Sequence, residues 1–398
     1  MEQATESPLP PSQRVDAIDV LRGFALFGVL AINLDTQFRV TLFEQFIGEP
    51  ASSSWDKIAS IALSYIFEFK SIAIFSFLFG VGLAVQFDRL GNSGHRDRLM
   101  YRRLAILLAF GLVHLIFVWN GDILTQYAVA GLIVLPLLKL STRHLLVSGL
   151  ACLLFYFTLP FMTLPFSFPD ETWLVAHIAE ARHIYGTGGL YDIFAFRLQE
   201  LPEIAKLLIY IFPRTLALIL LGATFWRSDM IDKIAQRSAH YTAYAVSLIA
   251  IGLLCEAQQK GVIILLEVGP FSTMWIKIVA SLINELGPPA IASGYVLGII
   301  ILVQRHGAKH RFAPMAAIGR MAFSNYILQS MILSLLFYGI GFGLMGHVGA
   351  ASGLLISTVI YAGQAFWSQY WLKTHRFGPL EWAWRSLTYG KRQQWCTA

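Results

Sequence analysis

Apolar runs of about 20 residues recur along the whole chain, separated by short polar segments. A helix of roughly 20 residues is long enough to cross the hydrocarbon core of a bilayer. Hydrophobic residues make up 56% of the 398 positions. A transmembrane β-barrel would show short alternating segments instead. We therefore predict an all-α fold, a polytopic transmembrane helix bundle of about ten spans.

The apolar runs and the breaks between them set the predicted spans. An interfacial or re-entrant helix is expected at 39–69, and an exposed cap with short helices at 163–203. The segment Asn284–Pro289 should break the apolar run that precedes the eighth span, because its two prolines interrupt helical hydrogen bonding. The ten spans are predicted at roughly 18–34, 72–87, 104–119, 123–138, 145–162, 207–226, 241–255, 286–303, 321–341 and 354–372.

Basic residues gather in the segments that follow every second span. The positive-inside rule then places those segments and both termini in the cytoplasm. This divides the chain into a cytoplasmic leader (1–17), the bundle (18–372, with 163–203 exterior) and a basic cytoplasmic tail (373–398). We predict a multi-pass protein of the plasma (inner) membrane, with lipids as partners. The net charge of +6 reflects this distribution and not a nucleic-acid partner. The oligomeric state stays open, with a homo-oligomer among the alternatives.

The run Arg103–Ala130 carries one imidazole, His114, and is interrupted at Asn120, Gly121 and Asp122. A titratable side chain in hydrocarbon needs a partner or a water-filled cavity. If the helix unwinds at Asn120, Asp122 can fold back toward His114 and orient it as a general base. Alternatively, His114 hydrogen-bonds a neighbouring span and only stabilises the packing.

Basic side chains near the ends of spans allow two interpretations each. Arg22, with Arg102 and Arg103, could bind phosphate groups at a cytoplasmic mouth, or Arg22 could extend to the lipid headgroups. On the exterior half, Arg214 and Lys70 could compensate buried carboxylates or hold an anionic substrate. No dinucleotide, Walker or H-E-x-x-H motif occurs, so we predict no metal.

Six motifs cover nearly the whole chain: R-V-D-A-I-D-V-L-R-G-F-A-L-F-G-V-L-A-I-N (14–33), F-S-F-L-F-G-V-G (75–82), G-L-V-H (111–114), G-D-I-L-T-Q-Y-A (121–128), I-G-R-M-A-F-S-N-Y-I-L-Q-S (318–330) and F-G-P-L-E-W-A-W-R-S-L-T-Y (377–389). They resemble those of YeiB-like membrane proteins and occur in the same order. The opening D-V-L-R-G (19–23) is also similar to that of the lysosomal heparan-α-glucosaminide N-acetyltransferase. That similarity links YeiB-like proteins to a broader group of transmembrane acyltransferases.

The resemblance implies an enzyme that moves an acyl group from cytoplasmic acyl-CoA, such as acetyl-CoA, to an extracytoplasmic hydroxyl or amine. The acceptor, a sugar or an envelope component, stays open. The acetyltransferase carries its catalytic histidine just after the first span, in an H-x-x-W-N-G context. Here residues 34–70 contain no histidine, whereas W-N-G recurs at 119–121. His114 and Asp122 are therefore the candidate general base and its orienting carboxylate.

The remaining assignments follow from the same hypothesis. Either Asn33 or Asn325 would donate a hydrogen bond to the oxyanion or the substrate. The second hypothesis is a transporter of a small anionic metabolite or lipid, in which Arg214 and Lys70 select the anion by their charge. A third alternative is a scaffold or sensor without turnover. The predicted binding residues are Asn33, Asn120, Arg214, Asn325 and Gln329 for the substrate, and Arg22, Arg102 and Arg103 for the CoA phosphates.

Overall fold

The structure, a computed structural model, describes residues 16–47, 53–91, 94–267, 274–305 and 308–397. The predicted leader therefore lies outside the described residues, except for residues 16 and 17. Within the described ranges the chain is helical and contains no strand, which confirms the all-α prediction. The helices are α1 (Asp16–Asn33), α2 (Ser54–Ile66), α3 (Lys70–Leu90), α4 (Arg96–Val113), α5 (Leu124–Leu137), α6 (Thr142–Thr158), α7 (Glu171–Thr187), α8 (Leu190–Arg227), α9 (Met230–Gln236), α10 (Ser238–Glu267), α11 (Met274–Gln304), α12 (Ala308–Arg311), α13 (Ala313–Arg320), α14 (Ala322–Phe337), α15 (Ala350–Thr374) and α16 (Pro379–Tyr389).

Eight helical segments of the described chain are long and apolar enough to cross a membrane. The helices α5 and α14 are apolar but shorter. Each of these ten segments overlaps one of the ten predicted spans, so the protein is a polytopic membrane protein. Helix α1 is central to the bundle, and it packs against α3, α11, α13, α14 and α15. Its buried residues join the largest hydrophobic cluster, which also includes residues of α3, α8 and α11.

The cap and the sixth span differ from the prediction. Helix α8 begins at Leu190 and continues without a break to Arg227, so its first part belongs to the segment expected to form short helices. Gly189 is the N-cap residue, and Asp192 accepts a hydrogen bond from its backbone N–H. The cap therefore consists of α7 and the first turns of a helix that continues into the bundle.

The predicted break at Asn284–Pro289 is wrong, because α11 continues through both prolines. Helices α10 and α11 cross at Gly252 and Gly287, where a Cβ atom at Gly252 would lie 2.8 Å from the Gly287 carbonyl oxygen. Such close backbone contact between small residues is typical of membrane helix pairs. Packing against α10 therefore offsets the loss of the two backbone hydrogen bonds.

The segment predicted to be interfacial contains α2, and the predicted tail contains α16. Ser53 accepts a hydrogen bond from the N–H of Asp56 and so caps α2, while the Asp56 carboxylate accepts one from the N–H of Ala351 at the start of α15. Helix α16 packs against α4 and α14. The tail is thus folded onto the bundle, and the site described below depends on this contact.

Helices α3 and α8 touch backbone to backbone at two glycines. A Cβ atom at Gly80 would lie 1.9 Å from the carbonyl oxygen of Ile219, and one at Gly222 would lie 1.9 Å from that of Phe77. We expect Gly80→Ala to force the helices apart and lower the free energy of unfolding by about 1–3 kcal/mol. Gly298→Ala is the control, because its Cβ would meet nothing within 4 Å. Thermal unfolding of the detergent-solubilised variants measures both effects, and equal melting temperatures would contradict the prediction.

Candidate functional site

His114 lies where helix α4 changes its winding. The α-helix ends at Val113, and His114–Val118 forms a π-helical turn. Trp119 is then extended, with φ −165° and ψ 134°, and its N–H donates to the carbonyl of His114 at 2.8 Å. Single π turns inside helices are frequent at functional sites. The change in winding returns the following residues, 120–122, toward the imidazole.

Asp122 and His114 form a buried hydrogen-bonded pair, the His114–Asp122 dyad. The distance from Nδ1 of His114 to Oδ1 of Asp122 is 2.8 Å, and the two side chains are 1% and 0% exposed. The second carboxylate oxygen of Asp122 accepts a hydrogen bond from the N–H of Thr125 at 2.6 Å. The first turn of α5 thus fixes the carboxylate, and the carboxylate fixes the imidazole.

The other ring nitrogen of His114 is available for chemistry. Nε2 is buried and has no hydrogen-bond partner in the described part of the chain. Because a carboxylate can only accept, Nδ1 carries the proton toward Asp122, and Nε2 presents its lone pair. The rings of Trp119 and Tyr326 flank the imidazole, with centroids 6.2 Å and 5.1 Å away. This is the arrangement of a general base with a fixed tautomer.

A cavity of about 570 Å³ lies beside the dyad. One part is lined by arginines, and the other part is apolar and includes Phe75, Leu78 and Leu107. Ile123, next to Asp122 in the chain, and Tyr326, whose ring lies against His114, also line the cavity. The cavity therefore runs from a basic mouth to the residues that contact the dyad. Its volume is within the range of small-molecule sites.

The mouth of the cavity carries an excess of positive charge. Its arginines are Arg22, Arg89, Arg103, Arg320, Arg376 and Arg385, and its acidic residues are Asp19, Asp88 and Glu381. Asp19 pairs with Arg22 at 2.9 Å, and Asp88 pairs with Arg227 at 3.2 Å. Within the described residues, no carboxylate lies within ion-pair distance of Arg103, Arg320 or Arg385.

Helix α16 brings Arg385 and Trp384 to the mouth. The Trp384 indole N–H donates to the carbonyl of Arg103 at 2.9 Å, and the Arg103 guanidinium lies 3.7 Å from the centre of the indole. Burial lowers the pKa of Arg385; Tyr389 and Glu381 oppose this shift, and the like charges of Arg22 and Arg89 add to it. Guanidinium groups that repel one another in a half-buried site are stabilised by a bound anion.

Glu381 makes no ion pair with these arginines in the described chain, and its carboxylate binds the start of α14 instead. Its carboxylate accepts hydrogen bonds from the N–H groups of Phe323 and Ser324, at 2.8 and 3.1 Å, and from the Ser324 hydroxyl at 2.5 Å. Burial raises the pKa of this carboxyl. Glu381 therefore anchors α16, and with it Arg385, to the bundle. In the described ranges no group of three or more His, Cys, Asp or Glu side chains could hold a metal ion.

Comparison with known proteins relates the whole chain to a set of bacterial proteins. It is 32% identical to the uncharacterized protein YxaH of Bacillus subtilis, and the alignment covers 96% of each chain. The chain belongs to the YeiB-like family. It is 29% identical to a 39.9 kDa protein encoded in the amylase 3' region of Bacillus acidopullulyticus, over 97% of this chain and 96% of that one. It is 26% identical to YeiB of Escherichia coli, over 94% and 96%.

A family model described as a protein of unknown function, DUF418, matches residues 225–391. Within the YeiB-like chain this region supplies one side of the cavity, from Arg320 to Arg385. The His114–Asp122 dyad and the arginines of α1 and α4 lie outside the matched region. The resemblance predicted from the motifs is confirmed at the level of the family.

Three predicted substrate-binding amides are held in networks away from the dyad. Asn120 donates to Glu200 at 2.6 Å and to the Tyr185 hydroxyl at 3.2 Å. Asn325 donates to the carbonyl of Ile318 and the hydroxyl of Ser368, at 3.3 and 3.0 Å. Gln329 donates to Gln364 of α15 at 2.7 Å. Both amide N–H groups of Asn120 and of Asn325, and one of Gln329, therefore donate to protein partners.

Three further predicted residues lie elsewhere. Arg102 is exposed beside Gly390 and does not line the cavity, because neighbouring helical residues point about 100° apart and Arg103 faces inward. The Arg214 guanidinium lies 5.4 Å from the ring centres of Phe69 and Tyr156, and no ion pair joins it to the dyad within the described chain. Asn33 is buried at the end of α1 and makes no side-chain hydrogen bond to any described residue.

The charge of Lys70 is balanced by Glu256 and not by Asp122. Its ammonium lies 2.5 Å from the carboxylate of Glu256 in α10 and donates to the carbonyl of Ser64 at 2.8 Å. Its side chain is buried, so this pair joins α3 to α10 inside the bundle. Opposite charges that face each other in the interior compensate one another, which leaves little net charge for selecting an anion.

A buried carboxylate in the cap was missed from the sequence. Glu200 of α8 accepts hydrogen bonds from Asn120, from the Tyr185 hydroxyl at 2.5 Å and from Nε2 of His177 at 2.9 Å. Burial raises the pKa of Tyr185 well above its usual value, and the Glu200 charge raises it further, so the phenol remains a donor. Glu200 thereby holds the 119–122 turn that carries Asp122.

The sequence held a signal for some of the missed residues. Arg320 and Tyr326 lie in the motif 318–330, of which only Asn325 and Gln329 were assigned a role. Glu381, Trp384 and Arg385 lie in the motif 377–389, which was used only to identify the family. All five line the cavity. The cap residues Glu200 and His177 belong to no motif, and 80 residues separate Glu200 from its partner Asn120.

Proposed function

We propose that this protein is an integral-membrane acyltransferase of the plasma membrane, which uses acyl-CoA as the donor and an extracytoplasmic hydroxyl or amine as the acceptor. The observation that supports this most directly is the cavity that leads from a basic mouth to residues in contact with the dyad. Tyr326 lines the cavity, and its ring centre is 5.1 Å from that of His114. An acyl group bound at this end of the cavity would lie against Tyr326, whose ring packs on His114.

The donor site is suited to a molecule with phosphates at one end and an apolar chain at the other. Arg103, Arg320 and Arg385 have no carboxylate partner within the described residues, and guanidinium groups bind phosphate oxygens in bidentate geometry. The apolar part of the cavity would take the pantetheine arm and the acyl group. Acyl-CoA combines these features, with its thioester between the two parts.

The proposed chemistry is a balanced acyl transfer. Nε2 of His114 takes the proton from the acceptor hydroxyl or amine, and the acceptor atom attacks the thioester carbonyl carbon. The carbon–sulfur bond then breaks, and the CoA thiolate takes a proton from the imidazolium. Asp122 keeps the imidazole in the required tautomer and stabilises its charged form. The proton returns to the donor side, so no further co-reactant is needed.

Orientation follows from the positive-inside rule. The basic mouth and the segments rich in Lys and Arg would face the cytoplasm, where acyl-CoA is available, together with both termini. The cap formed by α7 and the start of α8 would then face the exterior and approach the acceptor. His114 lies between the mouth and the cap, as transfer across the membrane requires.

The test uses the purified protein in liposomes, with acetyl-CoA and glucosamine as probes. Release of free CoA thiol and formation of labelled N-acetylglucosamine measure turnover, and intact labelled acetyl-CoA inside the liposomes measures transport. We expect acetyl-CoA to bind and thiol to be released. If intact donor accumulates inside the liposomes without thiol release, the protein is a carrier and the proposal is wrong.

A further inference from the structure

The hydroxyl of Tyr326 is a buried donor without a partner. Tyr326 is 4% exposed, and its hydroxyl donates no hydrogen bond to any described residue. Its ring packs among Leu26, Val29 and Ile318, which fixes the side chain. A buried hydroxyl without a hydrogen bond costs free energy unless a ligand supplies the acceptor. Because Tyr326 lines the cavity, that acceptor would be a bound molecule.

The position of Tyr326 indicates which atom this acceptor is. The centres of the Tyr326 and His114 rings are 5.1 Å apart, and Nε2 of His114 is also without a partner in the described chain. A group bound at the Tyr326 end of the cavity would therefore lie next to the ring that packs on His114. A thioester carbonyl fits this requirement, since its oxygen accepts a hydrogen bond while its carbon is attacked by a nucleophile that the base activates.

We propose that the Tyr326 hydroxyl donates a hydrogen bond to the thioester carbonyl oxygen and stabilises the oxyanion that forms during acyl transfer. The inference rests on the proposed acyltransferase function and adds a catalytic residue to it. When the acceptor attacks, the carbon–oxygen double bond opens and its electron pair moves to the oxygen. When that electron pair re-forms the carbonyl double bond, the carbon–sulfur bond breaks and the CoA thiolate leaves. Tyr326 keeps its proton throughout.

The amides expected in this role are less suitable. The N–H groups of Asn325 donate to Ile318 and Ser368, and its free atom, Oδ1, is an acceptor that would repel an oxyanion. Asn33 does not line the cavity. Tyr127 also lines the cavity, but its hydroxyl is engaged with Ser76 and with the carbonyl of Ile72. Of these candidates, Tyr326 alone combines a free donor with contact to the dyad.

The experiment compares Tyr326→Phe with wild type in the thiol-release assay. Loss of one oxyanion donor typically lowers kcat by about 10²–10³-fold. Because the hydrogen bond strengthens only in the transition state, we expect KM for acetyl-CoA to change less than about threefold. Tyr361→Phe is the matched control, since its hydroxyl donates to the carbonyl of Gly23 outside the cavity. The control should keep the wild-type kcat.

A second variant separates a catalytic hydroxyl from a packing role. Replacing Tyr326 with 3,5-difluorotyrosine retains the hydroxyl but makes it more acidic, so turnover should be retained and its pH profile should shift to lower pH. A Tyr326→Phe enzyme with wild-type kcat, or a difluorotyrosine enzyme as slow as Tyr326→Phe, overturns the Tyr326 assignment alone. Wild-type protein that releases no thiol overturns the proposed function and this inference with it.

Discussion

Replacing both Arg103 and Arg385 with alanine should weaken acetyl-CoA binding by about 100-fold or more. Each guanidinium is expected to make a charged hydrogen bond to a phosphate, worth roughly 1.5–3 kcal/mol, and about 1.4 kcal/mol corresponds to a tenfold change in Kd. The two side chains come from α4 and α16, and Arg103 stacks on Trp384 of the same helix as Arg385. Arg22 and Arg320 remain in the double variant, so some affinity should persist.

Arg102→Ala provides the matched control for this prediction. It removes the same charge from the adjacent position, but the Arg102 side chain is exposed and points away from the cavity. Calorimetric titration of detergent-solubilised protein with CoA and with acetyl-CoA gives the affinities. Added salt should weaken binding to wild type more than binding to the double variant, because the wild type has two more arginine charges whose attraction to the phosphates is screened. Equal affinities of wild type and the double variant would show that the mouth does not bind the phosphates.

The spans were predictable because a single physical requirement dominates them. Apolar runs such as 207–226 must be long enough to cross the bilayer, whichever helices they pack against. Composition alone therefore identifies them. The prolines of α11 were misread because the sequence does not show that Gly252 allows α10 to approach α11 at Gly287. Helix continuity there depends on a tertiary contact, which local propensity cannot predict.

The site was predictable only where its partners are close in the chain. His114 and Asp122 are separated by eight residues, and the polar break between them indicated that they could meet. Arg385 reaches the mouth because Glu381 binds the start of α14, a contact across 57 residues from Ser324. No spacing between residues in the sequence predicts the contact between Glu381 and the start of α14. For the same reason Glu200 was missed, although it holds the turn that carries Asp122.

Replacing the histidine of the dyad should strongly reduce acyl transfer while leaving donor binding intact. General base catalysis contributes about 10²–10⁴-fold, so we expect His114→Asn to lower kcat by that factor. Asparagine is preferred to alanine, because its amide N–H can still donate to the Asp122 carboxylate and avoid leaving a buried charge unpaired. The Kd for acetyl-CoA should stay near the wild-type value. His144→Asn, at an exposed histidine, is the control.

Asp122→Asn should give a similar loss by a different route. The new amide oxygen can still accept the N–H of Thr125, so the start of α5 should remain intact. Its amide N–H, however, would donate to Nδ1 of His114 and move the ring proton to Nε2, which could then no longer accept a proton from the acceptor. Steady-state thiol release and equilibrium acetyl-CoA binding separate this effect from weakened affinity. If both dyad variants turn over at the wild-type rate, His114 and Asp122 only stabilise the junction between α4 and α5, and the base must be sought elsewhere along the cavity.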